Sequence, residues 1–120
     1  MTLTIKLQFP PSVNRLWKVA KGKVYRSADY EAWRAPAAWE ARVQAGPKKI
    51  TGQFKLTAHF VRPDKRHRDL DNLLKALLDA LQHGGVIAND KNCIEISAKW
   101  VEEGPPCEIM LEEIDDGQEK

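Results

Sequence analysis

The stretch from Arg62 to Asn92, RPDKRHRDLDNLLKALLDALQHGGVIANDKN, sets the organisation of this 120-residue chain. It joins a basic run (Arg62, Lys65, Arg66, His67, Arg68) to two closely spaced carboxylates, Asp69 and Asp71, then to a leucine-rich segment and a third carboxylate, Asp90. Leu70, Leu73, Leu74, Leu77, Leu78 and Leu81 recur at spacings of three and one, which predicts a helix with one apolar stripe. Its opposite face carries Asp71, Lys75, Asp79 and Gln82, so Asp71 and Lys75 lie one turn apart and point the same way. Gly84-Gly85 predicts the stop, because glycine accepts the left-handed backbone that ends helices. Asp69 is expected at the N-cap, with Asp71 just inside the helix.

Two carboxylates within a few ångströms raise each other's pKa unless a cation neutralises them. A divalent metal does so, and Mg²⁺ takes carboxylate oxygens, keeps several waters and accepts phosphate oxygens, which suits Asp69, Asp71 and a third acid. Such an ion activates water and stabilises a leaving oxygen. Lys75 would offset charge on a scissile phosphate, and the basic run upstream would hold the neighbouring phosphates. A plainer reading uses the same residues: an Asp at a helix start caps it, and Asp71, Lys75 and Asp79 form a solvated ladder of ion pairs. Asn89-Asp90 is also a common turn pair. Composition and spacing reach as far as a metal-dependent phosphodiesterase acting on nucleic acid, and leave both readings open.

Outward from this stretch, the length predicts one domain over residues 1–120, and 42% apolar residues suffice for a core. The net charge of +2 excludes a uniformly basic protein, so any DNA contact must be a patch; the acids concentrate from Glu102 to Glu119 and leave residues 1–68 basic. Cys93 and Cys107 are too few and too far apart for a zinc motif and read as reduced core thiols. No apolar run approaches a membrane span and no signal pattern opens the chain, so no membrane partner and a cytoplasmic location are expected.

Leu3, Ile5, Leu7 and Phe9 alternate with polar residues as a half-buried strand ended by Pro10-Pro11. Ser12 to Arg26 interleaves Arg15, Trp17, Lys18, Lys21, Lys23 and Tyr25, a loop or loose ribbon able to hold phosphates and stack bases. Ser27 opens a helix to about Ala45, with a kink or two pieces expected at Pro36 and packing roles for Trp33 and Trp39. Phe54, Leu56, Ala58 and Phe60 mark a second strand, with His59 on its polar side; Val86-Ile87 marks a short extension; Ile94, Ile96, Ala98 and Trp100 mark a third strand, and Glu108 to Ile114 a fourth. A frayed tail is expected from about residue 115. The order β-α-β-α-β-β predicts an α+β, two-layer domain: a four-stranded mixed β-sheet covered by two helices. The candidate site lies where the second strand feeds the helix, with Asp90 returning to it.

The string PDKRHRDLDNLLKALLDAL with the downstream NDK resembles the RusA family of Holliday junction resolvases. Pro10-Pro11-Ser12 with Asn14-Arg15, and Ser27 ahead of Trp33-Arg34, extend the likeness from about Thr4 to about Ile114. The resemblance implies a homodimeric, Mg²⁺-dependent endonuclease, with Mn²⁺ as a substitute, that resolves four-way DNA junctions by paired symmetric cuts. It implies that Asp69, Asp71 and Asp90 are catalytic metal ligands, that Lys75 is the catalytic lysine, and that Asn14, Arg15, Lys65, Arg66 and Arg68 contact DNA. A two-fold dimer supplies the two symmetric sites that resolution needs. His67, in a run otherwise of arginine and lysine, and Leu78, where members can carry an aromatic residue, depart from the family pattern. The rival reading is a junction-binding protein without catalysis.

Overall fold

Apolar alternation places Leu3, Ile5 and Leu7 on the buried side of strand β1 (Thr2–Leu7). The computed structural model describes residues 1–11, 17–20, 23–26, 28–64 and 70–114, with backbone alone at 17–20, 23–26, 29, 71 and 72. After β1, strands β2 (Trp17–Ala20) and β3 (Lys23–Arg26) pair antiparallel, so the basic, aromatic segment forms the ribbon. Helix α1 (Ala28–Ala45), strand β4 (Phe54–Val61), helix α2 (Asp71–His83), strand β5 (Cys93–Val101) and strand β6 (Cys107–Glu113) follow.

The main sheet has the order β1-β6-β4-β5. β6 runs antiparallel to both β1 and β4, while β4 and β5 are parallel, with Phe54 beside Cys93 and Val61 beside Val101. The expected α+β domain with a four-stranded mixed sheet and two helices is therefore present. A helix between two strands is what permits their parallel pairing, and α2 fills that role. Phe54, Leu56, Ala58 and Phe60 of β4 are buried beneath the helical layer, while Lys55, Thr57 and His59 on the other face are only half-buried. One apolar cluster joins this inner face to Tyr30, Trp33, Ala37 and Ala41 of α1 and Leu73, Leu77 and Leu81 of α2.

Two expectations for α1 are corrected. It does not divide at Pro36 but runs unbroken over 18 residues. Buried residues on both sides of the exposed Pro36, Tyr30 and Trp33 before it and Ala37, Ala38 and Ala41 after it, hold the helix against the core despite the missing donor. Trp33 packs as expected, its Nε1–H donating to the Gln8 carbonyl at 3.1 Å. Trp39 does not: it is 69% exposed. Six residues at about 100° each carry it about 120° round the helix from Trp33, off the buried face. The Val86-Ile87 extension is present as a bridge between Ile50 and Ile87.

Two joints lock the helices together. The Arg42 guanidinium donates to the carbonyls of Gly85 (2.8 Å), Gly46 (2.5 Å) and Lys48, tying the end of α1 to both following loops. The turn after α2 divides the work expected of its glycine pair: Gly85 takes the left-handed backbone (φ 76°), whereas Gly84 (φ −77°) lies so close to α1 that a Cβ would stand 2.5 Å from the Ala38 oxygen.

Candidate active site

The faces of α2 follow from its 3.6-residue period. Leu73, Ala76, Leu77, Ala80 and Leu81 are fully buried. Asp79, on one flank, turns to α1, where it accepts hydrogen bonds from the Tyr30 hydroxyl and from Arg34 Nε (2.5 Å). It is thus a clamp between helices, not a rung of the solvated ladder. Asp71 is the first residue of α2, and Lys75 stands exposed one turn later. The N-cap position falls on Leu70, whose backbone is helical and which makes no side-chain cap bond. Asp69, the expected cap, lies outside the described residues.

Upstream, β4 delivers the chain to Arg62, whose guanidinium lies 4.2 Å from the centre of the Trp100 ring. Trp100 stacks in turn against Phe9 and tilts against Phe60. Cation–π contact of this kind fixes an arginine while leaving its donors outward. A shallow cleft of about 310 Å³ opens here between Val61, Arg62, Trp100, Val101 and Glu102. The Arg62–Trp100 pair was missed in the sequence, where the only available signal was an aromatic residue ending one strand and a cation ending another. Asn14, Arg15, Lys65, Arg66, Arg68 and Asp69 lie outside the described residues, as does the side chain of Asp71.

Asp90 stands elsewhere. It opens a single 3-10 turn, Asp90–Asn92, capped by the Asn89 side chain, which accepts from Lys91 N–H at 2.8 Å. Its own N–H donates to Gln82 Oε1 at 2.8 Å, in the last turn of α2, and Asn92 reaches the Thr51 carbonyl at 3.2 Å. Asp71 begins α2 and Asp90 sits beside its end, so roughly 18 Å of helix, at 1.5 Å per residue, separates them within one chain. The expected return of Asp90 to the Asp71 end does not occur. Because β5 is parallel to β4, the residues before β5 lie at the start of β4, whereas α2 is entered from its end. Among the described residues no group of three or more His, Cys, Asp or Glu gathers as a metal site. Asp90 is exposed, and no ion pair engages its carboxylate among them.

Comparison with known proteins places these residues in a family. Residues 8–112 match the family model described as Endodeoxyribonuclease RusA. The chain is 36% identical over 100 residues to the Crossover junction endodeoxyribonuclease RusA of Aquifex aeolicus, covering 82% of this chain and 79% of that one. Its namesake in Escherichia coli K12 is 33% identical over 94 residues, covering 78% of each chain. That of Enterobacteria phage 82 is 34% identical over 99 residues, again covering 78% of each. The matched span contains the Asp69-Leu-Asp-Asn segment, Lys75 and Asp90 alike, and the chain belongs to the RusA endodeoxyribonuclease family.

Proposed function

We propose that this chain is a structure-selective endodeoxyribonuclease that resolves four-way, Holliday-type DNA junctions by hydrolysing two symmetrically placed phosphodiesters. The observation that carries the reading is the family match across residues 8–112, with relatives named as crossover junction endodeoxyribonucleases. Its setting is cytoplasmic, and among the described residues no helix is long and apolar enough to cross a membrane.

The donors proposed for a divalent ion are all hard carboxylate oxygens, from Asp69, Asp71 and Asp90, a set that suits Mg²⁺ with Mn²⁺ as a substitute. The exposed Asp90 carboxylate, on a backbone held by Gln82 and Asn89, fits that role. When bound, the ion would supply an activated water and stabilise the leaving oxygen. Lys75, one helical turn after Asp71, neutralises charge on the phosphate being cut. Arg62, braced on Trp100, begins the basic run through which Lys65, Arg66 and Arg68, with Asn14 and Arg15 from the first loop, hold the flanking phosphates. The distance along α2 forbids the three acids of one chain from sharing an ion. A site using all three therefore draws Asp90 from a second chain, and the working form is a homodimer.

That same separation favours the rival reading, a junction-binding protein without catalysis. Incubating a labelled four-way junction, a fork and plain duplex with Mg²⁺ decides between them: paired cuts confined to the junction support the nuclease, and binding without cuts supports the rival. Asp71→Asn should keep junction binding and lose cleavage. Undiminished cutting by that variant removes Asp71 from the chemistry.

A further inference from the structure

Where β4 and β5 end side by side, a cation and an aromatic ring meet at the surface. The parallel register sets Ile96, Ala98 and Trp100 beside the buried Leu56, Ala58 and Phe60, so Trp100 shares the inward side of the sheet with Phe60. Arg62, the first residue after β4, lies over that ring with its guanidinium carbon 4.2 Å from the ring centre. Phe9 stacks on Trp100 with ring centres 6.1 Å apart, and the fully buried Phe60 tilts against it at 5.9 Å. The indole is only half-buried, yet it is packed onto the core cluster. Trp100 is therefore fixed in advance, and a ligand stacking there would have little side-chain freedom left to freeze.

A guanidinium is flat, with its N–H donors in its own plane. In Arg62 one face rests on the indole, and the side chain as a whole is exposed. The cleft of about 310 Å³ at this point has Val61 and Val101 as apolar walls and the exposed Glu102 on its rim. No ion pair engages Arg62 or Glu102 among the described residues, although both line the same cleft. Ligand pockets begin at about 300 Å³, so the space suits one small ring system. A flat cation on an aromatic ring stacks a nucleobase. The Glu102 carboxylate accepts from amino groups and ring N–H groups on a base edge, and it repels phosphate.

We propose that the Arg62–Trp100 shelf takes one unstacked DNA base at the branch point, and that this stack helps the chain tell a junction from plain duplex. The inference deepens the junction-resolving function proposed above and rests on it for its substrate. Inside a duplex both faces of a base are covered and its pairing edge is occupied. At a branch point the stacking is interrupted, so a base is turned out at the least cost there. Arg62 also stands where β4 hands the chain to the basic run with Lys65, Arg66 and Arg68, which favours a base on a DNA strand over a free nucleotide. Glu102 holds the edge of the base and keeps the sugar-phosphate backbone to the Arg62 side.

The test measures binding by the full chain without divalent metal, so failure of the shelf is read separately from failure of the nuclease. Fluorescence anisotropy compares a labelled four-way junction, a single strand and plain duplex. Trp100→Leu, which keeps an apolar side chain against Phe9 and Phe60, should weaken junction and single-strand binding roughly five- to a hundredfold and leave duplex binding within about twofold. Arg62→Lys, which keeps the charge and gives up the plane, should do the same. Both variants should keep the far-UV circular dichroism spectrum, and if Trp100→Leu unfolds, the exposed Arg62 variant decides. Equal losses on all three DNAs would make Arg62 a phosphate contact alone, and that result, like no loss on any of them, overturns the proposal. So does a parent chain with no preference for junction or single strand over duplex, or displacement of the strand by micromolar deoxynucleoside monophosphates. A chain whose junction binding depends on the shelf, but which cuts nothing when Mg²⁺ is added, leaves the shelf standing and removes only the nuclease reading.

Discussion

Tyr30 is 1% exposed, and its hydroxyl donates to an Asp79 carboxylate that also accepts from Arg34. Partial burial works against the Arg34 charge, but the hydrogen bond and attraction from Asp79, with Tyr30 beside it, raise its pKa overall. Asp79→Ala strands a buried hydroxyl and a guanidinium together, and should lower stability by about 1–3 kcal/mol in urea unfolding. Asp79→Asn, which keeps an acceptor, should lose less; equal losses would mean that the bonds contribute nothing. Cys107 offers a pH signature at the same scale. Burial pushes its thiol up from 9.0 to about 12. Above pH 9 the unfolded chain sheds a proton that the folded chain keeps. Stability should therefore be unaffected by this group at neutral pH and fall as pH climbs from about 9 toward 12. Cys107→Ala should be less stable at pH 7 but show a shallower alkaline decline in thermal melts, and parallel declines would refute the assignment.

Among the elements, periodicity alone predicted β1, β4 and α2, because each has one covered face and its apolar residues mark that face. For β5 the same alternation named the inward face correctly, yet Ile94 and Ile96 are exposed: a side-chain pattern fixes which way a strand faces, not whether a helix lies over it. Nor does alternation fix strand direction. The parallel run of β4 and β5 is what sends Asp90 to the far end of α2, and no local signal in Asn89-Asp90-Lys91 records it. At the joint of α1 and α2 the reading of Gly84-Gly85 as a helix stop holds for Gly85, while the need for glycine at 84 comes from Ala38, distant in sequence. Gly84→Ala forces a methyl group onto a backbone oxygen and must push the helices apart, at a cost of about 1–3 kcal/mol by analogy with overpacked cores. Gly46→Ala, where nothing lies within 4 Å but φ is 65°, should show only the smaller penalty of left-handed backbone, about 1 kcal/mol. Chemical denaturation of the two variants should rank them in that order.

For the whole molecule, the separation of Asp71 from Asp90 makes the number of chains per site a measurable quantity. Suppose each site takes Asp71 from one subunit and Asp90 from the other. In a heterodimer of Asp71→Asn with Asp90→Asn chains, one site then holds both substitutions and the other holds neither. Each homodimer has every site damaged, so both should be inactive, while mixing and exchanging subunits should restore nicking at one strand of a labelled junction. At statistical mixing about half the dimers are heterodimers with one sound site, so recovery should approach one quarter of the unaltered site activity. Paired cuts should stay rare, because only one site per dimer is whole. If each chain instead built its site alone, every site in the mixture would carry one substitution and no activity would return. Recovery of strand nicking thus supports the two-chain site, and a mixture as inactive as its components would overturn it.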